Sequence, residues 1–286
     1  MDTENNKILT CQDFTVTNQK FDLVYNNELD MLETFPQPKV EDLALYYESS
    51  TYISHTDAKE SLTDKLYQAV KKFTLNKKLK LINSFETEQK NLLDIGCGTG
   101  DFLLNCKNNG WNVVGVEPNI NARYLAETKI SENNTSRIYS ELDFINSEKF
   151  DVITLWHVLE HIPNLNEYIS KLKLLLKPNG VLVVAVPNYK CYDAKYYKEY
   201  WAAYDVPRHL WHFSKKSMHL LFSKEKMVVA KIYPMIFDSF YVSLLSEKNK
   251  RGTTNLIVAF CIGLVSNLKA FATKEYSSLI YVIKNG

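Results

Sequence analysis

Asn91-Leu-Leu-Asp-Ile-Gly-Cys-Gly-Thr-Gly100 is the stretch from which the fold is read. A short apolar run ends in an acid, and three glycines follow at alternate positions. Asp101-Phe-Leu-Leu-Asn-Cys-Lys107 then has the composition of a helix start. Strand, glycine turn and helix in this order form the first unit of a nucleotide-binding sheet. Glycine lets the backbone turn sharply and leaves room for a ligand beside it. The spacing is Gly-x-Gly-x-Gly, and Asp101 stands where a dinucleotide loop has its third glycine. Asp94 lies two residues before the first glycine; a carboxylate there repels a pyrophosphate and suits a cation.

Beyond this stretch the pattern alternates. Strands are predicted over 91–95, 112–116, 137–140, 150–155, 181–186 and 227–233, with a last one over 278–283. Helices are predicted over 101–109, after Asn119, over 165–176 and over 214–223. The stop signal Lys177-Pro-Asn-Gly180 follows the third of these. Alternating strands and helices imply an α/β fold with a mostly parallel sheet and helices on both faces. Ligands bind such sheets at the carboxyl ends of the strands. Residues 1–58 read as a β-rich extension with strands at 14–17 and 20–25 around a turn at Asn18-Gln19, closed by Phe35-Pro-Gln-Pro38. Residues 41–48 read as a short helix. The main domain is expected over 59–286 and starts with a helix over 59–85, whose lysines are read as a solvated face.

Two long insertions, 188–213 and 235–277, are read as lids over the site. The first is rich in tyrosine and tryptophan. The second contains the longest apolar run, 256–265, too short for a bilayer span of about 20 residues. A buried helix is expected there, with a helix in a membrane interface as the alternative. The 286 residues carry a net charge of +1, which gives no broad attraction to nucleic acid. The five cysteines form no CxxC pair, so a disulfide framework is not implied and a reducing, cytoplasmic setting is the simpler reading. The N-terminus lacks the apolar core of a signal peptide.

Glu117 ends the second strand of the alternating region, about 20 residues after the glycine loop, where an acid accepts both ribose hydroxyls. With it the motifs form a set: Leu92-Leu-Asp-Ile-Gly-Cys-Gly-Thr-Gly100, Val114-Gly-Val-Glu-Pro118, Phe150-Asp-Val-Ile-Thr-Leu-Trp-His-Val-Leu-Glu-His161 and Leu176-Lys-Pro-Asn-Gly-Val-Leu182. Over roughly residues 90–190 this set resembles the class I S-adenosylmethionine-dependent methyltransferases. The resemblance implies a Rossmann-like, seven-stranded sheet whose last strand is antiparallel and inserted beside the fifth. It implies S-adenosyl-L-methionine as cofactor, held by Asp94, Gly96, Cys97, Gly98, Gly100, Glu117, Pro118, Trp156 and His157. Adenine would lie near residues 141–143. The family transfers a methyl group in line from sulfur to an acceptor, so a base is needed only when that acceptor must lose a proton.

His157 and His209 are the candidate catalytic residues. Arg208 is the candidate for a carboxylate or phosphate on the substrate, with Tyr189 and Trp201 as pocket wall. His157-Val-Leu-Glu-His161 also has the order of an inverted zincin motif. It is rejected for want of a third ligand signal, and no metal is expected. The N-terminal stretch resembles a region with two cysteine pairs in a subgroup of the family. Here Cys11 stands alone, which implies a metal-free remnant. The expected partner is a small-molecule acceptor, with O-methylation marginally favoured, and neither nucleic acid nor a membrane span. Two other readings stay open. A non-catalytic binding protein of the same fold would hold the cofactor without turnover. A nicotinamide-dependent oxidoreductase would bind NAD instead.

Overall fold

The computed structural model describes residues 6–47, 62–130, 137–145 and 148–286. Its main sheet has seven strands in the order β10-β11-β8-β7-β4-β5-β6. These are β4 (Asn91–Ile95), β5 (Asn112–Val116), β6 (Arg137–Tyr139), β7 (Phe150–Trp156), β8 (Leu176–Pro187), β10 (Met227–Pro234) and β11 (Ser278–Asn285). β4 to β8 pair in parallel, and β11 runs antiparallel between β8 and β10. The inserted antiparallel strand is the one the family resemblance implies.

The inner strands are apolar on both sides. Leu93, Ile95, Ile153, Leu155, Leu182 and Val184 join one core. Leu92, Val113, Val152, Val181 and Val183 join the other. A sheet covered on both faces requires such continuous apolar runs. The covering helices are α1 (Leu62–Ile82), α2 (Asp101–Lys107), α3 (Ile120–Ile130), α4 (Leu165–Leu175) and α6 (Lys215–Lys224). Ser214 caps α6 through a reciprocal capping box with Ser217. Residues 59–61 of the expected first helix lie outside the described residues.

β1 (Lys7–Gln12), β2 (Lys20–Asn26) and β3 (Met31–Phe35) form a second sheet, which β9 (Trp211–His212) completes. The expected strand at 14–17 is a turn. The Asp13 carboxylate accepts from the backbone amides of Thr15, Val16 and Thr17, so this β-branched run cannot pair as a strand. The short helix expected at 41–48 is present as the 3₁₀ helix Val40–Tyr47, and residue 48 lies outside the described residues.

The insertion 188–213 contains α5 (Tyr192–Tyr197). Tyr197, Trp201 and Tyr204 pack with Cys11, Phe21, Leu23 and Leu32 into a third core against the N-terminal sheet. The insertion 235–277 contains α7 (Asp238–Arg251) and α8 (Leu256–Thr273). The buried helix expected at 256–265 is longer and mostly exposed, because only its small residues Ala259, Gly263, Ser266 and Ala270 turn inward.

Candidate functional site

The carboxyl ends of β4, β5 and β7 bring the glycine loop, Glu117, Trp156 and His157 to one edge of the sheet. Gly96, Gly98 and Gly100 all have positive φ, at 67°, 55° and 81°. A Cβ on Gly96 would meet Val158 at 2.4 Å, and one on Gly100 would meet Ala126 at 3.0 Å. Beside Gly98 there is open space, so the backbone is accessible to a ligand at this point. Cys97 is buried beneath the loop, and burial pushes its thiol up, out of the thiolate range.

Glu117 closes the loop from the next strand. One carboxylate oxygen accepts from the Gly98 amide at 2.8 Å and the other from the Asn119 amide at 2.9 Å. Each oxygen keeps a lone pair for a hydroxyl donor. Pro118 is exposed, and its carbonyl accepts from Arg123 at 3.0 Å. Asp143, in the expected adenine region, is exposed and paired with Lys171 at 2.8 Å.

Asp94 is buried and accepts from the Thr154 hydroxyl at 2.6 Å. Burial pushes its carboxyl up to about 7, against the opposing pull of Thr154 and Lys78. The Lys78 ammonium lies 4.3 Å from the centre of the Trp156 ring, and burial brings it down to about 8 despite Asp94 and Asp238. Desolvation thus moves both groups towards their neutral forms, Asp94 further into the physiological range than Lys78. Trp156 stands edge-on to Phe102 at 5.6 Å, and its indole N–H is buried without an acceptor. An orphaned donor, an under-ionised acid and an open glycine flank fit a ligand that carries both positive charge and acceptor atoms. S-adenosylmethionine is such a ligand.

Lys78 and Asp238 were not singled out from the sequence. The signal was available for Lys78: it lies at helical spacing from Leu75 and Ile82, on the side of α1 that packs inward. Together with Met235, Phe237, Tyr233 and Ile280 these two line a cavity of about 250 Å³ at the same sheet edge. No comparable signal marks Asp238.

His157 sits at φ 58°, between Glu160 at 3.4 Å and Asp238 at 3.2 Å. Burial opposes its charge, but the two carboxylates outweigh burial and push it up to about 10. With both imidazole nitrogens facing carboxylates, this arrangement favours the imidazolium over the free base expected of a proton acceptor. His209 points elsewhere. Its Nδ1 is 2.9 Å from the Ala203 carbonyl, and its ring packs edge-on to His161 at 4.5 Å. Burial and His209 bring His161 down to about 4. Ligand atoms of Glu160, His161 and His209 lie within 4.8 Å of one another, a grouping that leaves out His157 and so is not the inverted zincin pair completed.

Two of the expected substrate residues, Arg208 and Trp201, are committed to contacts within the protein. Arg208 is buried, and its guanidinium is spent within the protein. Nε donates to Asp205 at 2.9 Å, Nη1 to the Tyr46 carbonyl at 3.1 Å, and Nη2 to both Thr15 at 2.8 Å and Asp205. Asp13 lies 3.5 Å away. This arginine ties the 188–213 insertion to the N-terminal turn. Trp201 is buried, with its indole N–H donating to Asp193 at 2.8 Å. Tyr189 is half-buried against the same core. The Leu210 amide donates to the Glu160 carbonyl at 2.8 Å, so this insertion buttresses the His157–Glu160 turn from behind. In the region of the single cysteine, burial pushes Cys11 up to about 12, and Asn26 organises the second turn by accepting from the Leu29 amide.

Residues 60–225 match the family model described as a methyltransferase domain. A ubiquinone biosynthesis O-methyltransferase from Glaesserella parasuis serovar 5 (strain SH0165) is 34% identical over 108 residues, covering 35% of this chain and 46% of that protein. One from Rickettsia bellii (strain OSU 85-389) is 30% identical over 102 residues, covering 34% and 42%. The chain spans about half the length of the curated relatives it matches. Among solved structures, magnesium protoporphyrin IX methyltransferase from Synechocystis PCC 6803 superposes with a TM-score of 0.54 at 14% identity, covering 81% of this chain and 91% of that one. A cyclopropane synthase from Mycobacterium tuberculosis superposes at 0.53 and 16% identity, covering 87% and 99%. With this sheet order, this glycine turn and a family match over more than half its length, the chain belongs to the class I S-adenosylmethionine-dependent methyltransferases.

Proposed function

We propose that this chain transfers the methyl group of S-adenosylmethionine to an oxygen of a small-molecule acceptor. The observation that carries the reading is Asp94, a buried carboxyl at about 7 beside an open glycine turn. A cationic ligand relieves that burial; a pyrophosphate aggravates it. The bound cofactor supplies an already activated methyl group. Asp94 then faces its positive charge, Glu117 takes the ribose hydroxyls, and the Trp156 N–H donates to an acceptor atom of the ligand. The acceptor would enter the cavity beside Lys78 and Asp238, between α1 and the start of α7. Lys78, at about 8, is the group there whose neutral form is within reach near neutral pH and can take a proton from a hydroxyl. The choice of oxygen follows the named relatives, which are O-methyltransferases over the matched segment.

Calorimetry with S-adenosylmethionine, S-adenosylhomocysteine and NAD tests the ligand. The sulfur compounds should bind and NAD should not. Glu117→Ala should weaken cofactor binding by about 1–3 kcal/mol, the cost of lost charge-assisted hydrogen bonds. Tighter binding of NAD would refute the reading. Binding without transfer of labelled methyl into any acceptor of a cell extract would favour the non-catalytic alternative.

A further inference from the structure

We propose that α7 and α8 dock the carboxyl edge of the sheet on an anionic membrane surface, with α8 lying in the interface. Ile257, Phe260, Leu264, Leu268 and Phe271 recur every three or four positions, Leu256 precedes them, and all six are exposed. They form one apolar stripe along an 18-residue helix. Among the described residues, α8 is the helix long and apolar enough to cross a membrane, yet its other side is committed to the protein. Gly263 is pressed on Phe240, where a Cβ would come within 2.7 Å, and Ser266 donates to Asp193 at 2.6 Å. A helix anchored on one side and apolar on the other lies in an interface instead of crossing it.

Charge selects the occupant. Lys248, Lys250 and Arg251 are exposed just before α8, and Lys269 and Lys274 are exposed along its last turns. The acids of the same insertion are engaged: Asp238 by His157, Glu247 by Arg251 at 2.9 Å and Glu275 by Lys215 at 3.0 Å. An apolar stripe with a cationic rim complements acyl chains beneath anionic headgroups. Lys269 lies 3.8 Å from the centre of the Tyr192 ring and Lys250 lies 5.2 Å from that of Tyr196, amphipathic pairs suited to the headgroup level. Two copies meeting through this stripe about a two-fold axis would bring like-charged rims together. The insertion also supplies residues 235–238 to the cavity, so a membrane-dissolved compound would meet the mouth of the site directly.

Sedimentation of the full chain with phosphatidylcholine vesicles, with and without phosphatidylglycerol, tests this. Binding is expected to the anionic vesicles and should fall as salt is raised. Ile257→Ser with Phe271→Ser should lower the partition about tenfold or more, with unfolding temperature and cofactor affinity unchanged. Lys269→Glu with Lys274→Glu should weaken binding to anionic vesicles alone. Absence of co-sedimentation overturns the proposal, as does equal partition of the wild type and the serine variant. Dimers in sedimentation velocity that the serine variant dissolves would assign the stripe to a second copy and refute it equally.

Discussion

Two buried charge clusters flank the turn after β7, and they have opposite characters. Around Arg208 every charge meets a partner. Asp205 and Asp13 are held below the usual carboxylate range, and Arg208 above its own, because hydrogen bonds and opposite charge overcome burial. Around Asp94 burial wins instead, and both Asp94 and Lys78 are driven towards their neutral forms. Each cluster contains residues that look functional in the sequence. The first is internally complete and holds two parts of the fold together. The second is left under-ionised by burial, and the proposed cationic ligand would complete it.

The complete cluster should give the largest effect. Arg208→Ala leaves Asp13 and Asp205 without their cation and should destabilise the protein by about 3–5 kcal/mol, read as a lowered urea midpoint. Arg208→Lys should recover only part, since an ammonium cannot reproduce the forked contacts. Cofactor affinity, measured well below the unfolding transition, should not change. A stable Arg208→Ala protein with weakened acceptor binding would return Arg208 to the substrate site and erase the contrast.

The difference between the clusters also marks what the sequence could and could not disclose. The strands from 91 onward were legible because a sheet covered on both faces needs unbroken apolar runs, and Leu92, Val152 and Val183 supply them. Glu117 was legible because strand ends have a fixed place at the site. Arg208 was misread because its partner Asp13 is 195 residues away, and no local pattern reports such a pairing. The strand expected at 14–17 failed for a related reason: β-branched residues favour pairing only if no nearby side chain captures their amides, and Asp13 does. For α8, composition reported an apolar helix but not which side is covered. The spacing of Ala259, Gly263, Ser266 and Ala270 held that information, since small residues mark close packing.

An intermediate effect should appear in the pH dependence of cofactor binding. Asp94 has its folded value raised, to about 7, so it ionises late in the empty site. A cationic ligand prefers the ionised form. Affinity should therefore fall as pH drops below about 7, approaching tenfold per unit, because ligand binding then requires release of one proton. Lys78 stays protonated over this range. Calorimetry between pH 5.5 and 7.5 (about the span on which Asp94 titrates) should show this for the wild type and a flat profile for Asp94→Asn. S-adenosylhomocysteine, which lacks the sulfonium, should show a shallower slope. A flat wild-type profile would mean that Asp94 faces no cation, and the second cluster would then be as closed as the first.

The smallest effect on turnover is expected at His157, which borders both clusters through Glu160 on one side and Asp238 on the other. Its folded value is raised to about 10 from 6.5. The stabilisation it contributes is fully present below pH 6.5 and is lost as pH rises through 10, so the window is 6.5 to 10. The stability difference between wild type and His157→Gln should shrink across that window, as followed by urea unfolding at its two ends. Methyl transfer supplies the sharper test. Removal of a general base lowers turnover by about 10²–10⁴-fold. An imidazolium that only pins α7 to the turn after β7 should cost less than about tenfold, and the variant should keep any limb near pH 8 that belongs to Lys78. Loss of that limb in His157→Gln would make His157 the proton acceptor. The Asp238–His157–Glu160 chain would then be a catalytic relay, whereas its geometry, with both imidazole nitrogens facing carboxylates, describes a latch between the 235–277 insertion and the turn after β7.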